Sequence, residues 1–128
     1  MKALIVFSVI LFSFGIFAQT PRNLDDAPKN LARAITSGNE GMASSALFHA
    51  VKIKLYHPQT DMVPVHAAIN KLLQGKVSDT LRYQAFLAQS FLSNDRLITH
   101  IKKENYRDAA PFFVMLSDTL QRNLLVSQ

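Results

Sequence analysis

Past the first 25 residues, apolar positions recur at the three- and four-residue spacing of helices, and no stretch alternates with the two-residue period of strands. Leu31, Ala34 and Ile35 share one stripe, with Leu24 and Ala27 at its start. This predicts a first helix capped by Asp25 or Asp26, with Pro28 in its first turn. Ser37-Gly38 ends it, the glycine supplying a left-handed exit. Asn39 caps a second helix reaching about Tyr56, where Pro58 forces the chain out of helical space. Its apolar arc is broad: Met42, Ala46, Ala50 and Ile53 on one face, Leu47, Phe48, Val51 and Leu55 beside them. An arc that wide implies burial on two sides.

The pattern then predicts four more helices. Asp61 caps a third, with Pro64 in its first turn, a stripe of Val65, Ala68, Ile69, Leu72 and Leu73, and Gly75 at its close. Ser78 caps a fourth, carrying Leu81, Ala85, Ala88 and Leu92 with Leu87 and Phe91 alongside. Asn94-Asp95 breaks it. A short fifth helix holds Leu97, Ile98 and Ile101 and fails near Asn105. Asp108 caps a sixth, with Pro111 early, a stripe of Phe112, Met115, Leu116, Leu120 and Leu124, and fraying from Asn123. Six helices joined by short loops make an all-α domain of three antiparallel hairpins.

Self-comparison adds a repeat. Residues 39–46 align with residues 78–85 at an offset of 39, pairing cap with cap (Asn39, Ser78), apolar with apolar (Met42, Leu81) and alanine with alanine (Ala46, Ala85). At an offset of 38, Leu31, Ala34 and Ile35 meet Ile69, Leu72 and Leu73. The cap sets where the second helix starts, the apolar residue docks on a partner helix, and alanine lets backbones approach. Ser78, Leu81, Arg82 and Ala85 resemble the opening of the second helix of a HEAT-like repeat. The first repeat departs from that pattern at Ala43, where arginine is expected. The resemblance spans about 80 residues and a general stack of helical hairpins fits the same pattern. It implies a short curved solenoid that binds another macromolecule along one face, without catalysis of its own. The units fall at 26–57 and 61–94, with a degenerate third hairpin at 95–123.

Composition locates the chain. Of the first 18 residues, 14 are apolar, Lys2 is the only charge before Arg22, and Ala18 is small. This is the layout of a secretory signal peptide at 1–18, cleaved after Ala18, with a polar lead-in at 19–25 ahead of a single domain at 26–128. Ile16 is larger than such cleavage sites prefer, so an uncleaved tether is the alternative. Either way, the mature part is expected in the periplasm or secreted. The remainder is about 43% apolar, an ordinary globular share. Cysteine is absent, which excludes disulfides, thiolate metal sites and cysteine nucleophiles. Without Lys2, 13 basic and 9 acidic residues leave a net charge of about +4, scattered along the chain. No aromatic-plus-basic platform suggests nucleic acid. Weak contact with anionic membrane surfaces is compatible with the charge.

Candidate chemistry is sparse. His49, His57, His66 and His100 show no i, i+4 pair and no HExxH; only His57, Asp61 and His66 bracket one turn. Ser44 and Ser45 lie inside a helix and GxSxG is absent. Asp25, Asp26, Asp61, Asp95 and Asp108 sit at helix starts, where capping accounts for them. A small exported hydrolase is therefore the weaker enzymatic alternative, and no catalytic, cofactor or metal residue is assigned. Binding is left. In HEAT-like stacks the second helix of each pair lines the inner surface, which here implies a face of Ser45, His49, Lys52 and Tyr56, then Arg82, Tyr83, Gln84 and Gln89. Plain solvent exposure explains the same residues. The expected partner is an unidentified protein or envelope component, with self-association through a terminal helix as a further expectation.

Overall fold

The computed structural model describes residues 25–126, so the leader and most of the lead-in lie outside the described residues. Within them the chain is all-α, with six helices: α1 (Ala27–Ile35), α2 (Glu40–Tyr56), α3 (Val63–Gln74), α4 (Asp79–Leu92), α5 (Asp95–Thr99) and α6 (Ala109–Val126). None of them is long and apolar enough to cross a membrane.

The sequence boundaries hold where a side chain or a backbone twist enforces them. Asn39 Oδ1 accepts from Met42 N at 3.0 Å, and Ser78 Oγ from Leu81 N at 3.1 Å. Asn94 Oδ1 likewise serves Arg96 N and Leu97 N at the start of α5. Gly38 leaves α1 at φ 84°, a left-handed turn that costs a residue with Cβ about 1 kcal/mol or more. Elsewhere the expectations shift. Asp26 stands at the N-cap of α1 without a side-chain cap bond. Met62, not Asp61, is the N-cap of α3, although Asp61 Oδ1 still accepts from Val63 N at 3.0 Å. α5 ends at Thr99, short of Asn105, because Thr99 and His100 turn back on Arg96 and Leu97. α6 does not fray at Asn123 but continues to Val126, with Asn123 Nδ2 donating to Thr119 O at 2.7 Å.

Packing is layered. α1 lies against α2 and α3, α2 against α4, and α3 against α4, so first helices meet first and second meet second. Ala43, Ala46, Ala50, Ala85 and Ala88 are all buried, which lets α2 and α4 come close. A tie runs between the starts of α2 and α4: Glu40 Oε1 accepts from Ser78 N at 2.8 Å. Between α4 and α3, Arg82 Nη1 donates to Leu73 O at 2.7 Å and Nη2 to Gly75 O at 2.9 Å. The guanidinium thereby satisfies carbonyls at the negative end of α3 and fixes the turn into α4. Arg82→Met should lower stability by about 1 kcal/mol in urea titration, the usual worth of a charged hydrogen bond discounted for exposure. Arg82→Lys should recover little of it, because an ammonium cannot span two carbonyls in a fork.

α6 departs from a continued stack. It packs on both α2 and α4, with the short α5 bridging it to α4. Phe112 of α6 meets Phe48 of α2 edge-on at 5.0 Å between centroids, and Phe113 at 6.2 Å. The third unit thus lies across the two second helices. Met42 is also unlike its repeat counterpart: it is 52% exposed where Leu81 is 3%. Leu81 shares a buried cluster with Ile35 and Ala43 and lines a small cavity with them. The docking role expected of Met42 therefore fails, and Ala43 is buried in its place.

Candidate functional site

The α2 half of the expected binding face does form one stripe, since residues 45, 49, 52 and 56 follow helical spacing. Ser45, His49 and Tyr56 are exposed and Lys52 is half-buried. The stripe is not open along its length. The segment linking α5 to α6, residues 100–108, has no helix after Ile101 and crosses the C-terminal half of α2. Lys52 Nζ donates to Tyr106 O at 2.7 Å, and Tyr56 Oη donates to Glu104 O. The Lys52 ammonium also sits 4.9 Å from the Phe48 ring centroid, a cation–π geometry that holds it above the aromatic cluster. The Tyr106 ring enters that cluster at 4.8 Å from Phe112, edge-on. Its hydroxyl returns to Lys102 O at 2.7 Å, and Ile101, 4% exposed, anchors the near end of the segment.

The electrostatics follow from this placement. Burial against its neighbours and then the Lys52 charge hold the His49 imidazole below its usual value. Its ring lies 5.2 Å from Phe48. Burial first, then Glu104 and Tyr56, push the Tyr106 phenol up. For His49 the consequence for stability has a definite sign. The unfolded chain takes up the proton first, so the lowered folded value makes stability fall as pH drops below about 6.5. Denaturation midpoints of the wild type should decline more steeply between pH 7.5 and 5 than those of His49→Gln. Equal slopes would mean that the imidazole is unperturbed.

The α4 half of the face does not act as one surface. Arg82 is committed to the end of α3, as described above. Tyr83 Oη lies 2.6 Å from Ser117 Oγ of α6, and its ring stacks on Phe86 at 6.3 Å. Gln89 turns toward α3: its Oε1 is 3.2 Å from His66 Nδ1, and its Nε2 donates to Asn70 Oδ1 at 3.4 Å. Gln84 is half-buried. Lys52 and Tyr56 converge on one segment, while the α4 residues disperse to α3 and α6. Sequence reasoning missed Glu104 and Tyr106, because what matters there is main-chain carbonyls, which no residue type announces.

Two open cavities border this region. One, of about 580 Å³, lies at the foot of the first hairpin among Asp25, Pro28, Tyr56, His57, Pro58 and Asp61. His66 faces Gln89 instead, so the bracket of His57, Asp61 and His66 does not close around a point. Among the described residues no three His, Asp or Glu side chains gather as metal ligands. The other, a groove of about 700 Å³, runs between the ends of α4 and α6 past Phe86, Leu97, His100 and Leu120. Among the described residues no polar or charged side chain is buried. Fold and surface together define an all-α protein whose distinctive polar contacts are helix side chains gripping a non-helical segment. Set against known protein families, curated proteins and solved structures, the chain matches none of them.

Proposed function

We propose that the protein is an exported, HEAT-like helical-repeat interaction module, working by surface complementarity along α2 and binding a protein or other envelope component. One observation carries this reading: α1 lies on α3 and α2 on α4, with equivalent caps at Asn39 and Ser78. α2 carries the stripe of Ser45, His49, Lys52 and Tyr56 on one side of that stack, and helix faces of this kind serve binding in helical-repeat proteins. Lys52 and Tyr56 of that stripe already hold a segment of the chain through its main-chain carbonyls, as a helix face can hold a peptide. The signal-like leader supports export.

Two measurements test the reading. N-terminal sequencing of the mature protein should begin at Gln19; Met1 retained would favour the tethered accessory protein instead. A photo-crosslinker placed at Ser45 should give a discrete adduct in the envelope fraction, and the same group at Asn30 on α1 should not. Identical products from both positions, or none from Ser45, would remove the support for an α2 face.

A further inference from the structure

The 100–108 segment is held in an unusual way for a loop. After Ile101 its fixed points are two carbonyls, Glu104 O and Tyr106 O, taken by Tyr56 and Lys52, and one aromatic ring set edge-on against Phe112, which itself meets Phe48. The other side chains of residues 102–108 point to solvent, Tyr106 alone being half-buried. Internally the segment has a tight turn, Tyr106 N to Glu104 O at 3.0 Å, the Tyr106 hydroxyl on Lys102 O, and a surface ion pair between Lys102 and Glu104 at 3.2 Å. Exposed ion pairs of that kind contribute little. So Lys52 and Tyr56 of α2 take two main-chain oxygens, Phe112 of α6 meets one aromatic ring, and nothing else that is peculiar to this stretch of sequence is held. Donors aimed at backbone carbonyls accept any residue; the ring alone selects.

We propose that this part of α2, together with Phe112 of α6, is a peptide groove whose resident occupant is the chain's own segment 104–106, and that a partner's segment bearing an aromatic residue competes for it. The inference rests on the interaction-module reading and narrows it to a site and a ligand chemistry. The strap masks the groove until a better ligand displaces it. A segment tethered by a short linker acts at an effective concentration of the order of mM. Against a loose peptide with an intrinsic dissociation constant of about 0.1 mM, that tether weakens apparent binding by about tenfold.

The test uses the full chain and a labelled synthetic peptide of residues 101–109 as probe. In the release variant Glu104→Gly, Asn105→Ser and Tyr106→Gly are combined, which keeps the loop length and empties the groove. Fluorescence anisotropy should show it binding the peptide about tenfold more tightly than the wild type does. Adding Lys52→Met should abolish binding, as should changing the peptide's tyrosine to alanine. Tyr106→Leu, which keeps an apolar anchor, is the second variant should the release variant lose its helical circular dichroism; it should give an intermediate gain. Equal affinity in wild type and variants overturns the proposal. So does a folded variant that ignores the peptide, or one that fills the groove with a second copy of itself and runs as a dimer in light scattering. Because the probe is the chain's own segment, failure here leaves the crosslinking result at Ser45 intact, and the reverse.

Discussion

Phe112→Ala should destabilise the protein by about 3–5 kcal/mol, the range for removing a buried aromatic ring and leaving a cavity. Phe112 is 1% exposed and its ring meets Phe48, Tyr106 and Phe113, so one side chain joins α2, the strap and α6. A domain of this size has only about 5–15 kcal/mol in total. The urea midpoint should therefore fall by about a fifth or more of its value. The loss should also be uneven. With the Tyr106 ring unsupported, trypsin should cut at Lys102, Lys103 or Arg107 well before it opens α2 or α4. A loss below about 1 kcal/mol would mean that the three-way contact is not maintained in solution.

The second large effect separates two positions that a simple repeat would treat alike. Leu81→Ala should cost about 2–5 kcal/mol, and Met42→Ala within about 0.5 kcal/mol of nothing. The two occupy the same register after their caps, yet Leu81 is 3% exposed and Met42 52%. Leu81 belongs to the buried cluster that holds Ile35 and Ala43 and borders a cavity of about 160 Å³ that truncation enlarges. Met42 surrenders a side chain that already faces water. Denaturant titration of the pair is a direct measure of how far the two hairpins are equivalent. Similar losses at both sites would require Met42 to be covered by something in solution.

The strap explains why the candidate face was only partly readable. Helical spacing alone placed Ser45, His49, Lys52 and Tyr56 together, because i, i+4 neighbours must share a side of a helix. The HEAT-like resemblance grouped Arg82, Tyr83, Gln84 and Gln89 on α4, where spacing gives them no common side. Consecutive residues of a helix point about 100° apart, so Arg82 reaches back to α3 while Tyr83 reaches α6. Which neighbour each one meets depends on where α3 and α6 lie, and no local pattern encodes that. Glu104 and the main chain of Tyr106 were invisible for a different reason: they take part through carbonyl oxygens, which every residue carries.

Local chemistry determined the helices themselves. Apolar spacing, the oxygen-bearing caps Asn39, Ser78 and Asn94, and the left-handed Gly38 act within a few residues, so the order and most boundaries of α1 to α6 could be read along the chain. The weak points were helix ends with no strong stop, at Thr99 and Val126, where packing decides how far a helix runs. Only the tertiary structure decided that α6 lies over both α2 and α4 instead of extending the stack, and that the 100–108 segment closes over Lys52 and Tyr56. Those outcomes depend on contacts between residues about 50 positions apart, selected by how well rings and ridges fit in three dimensions. Periodicity says which side of a helix seeks burial. It does not say which helix will cover it.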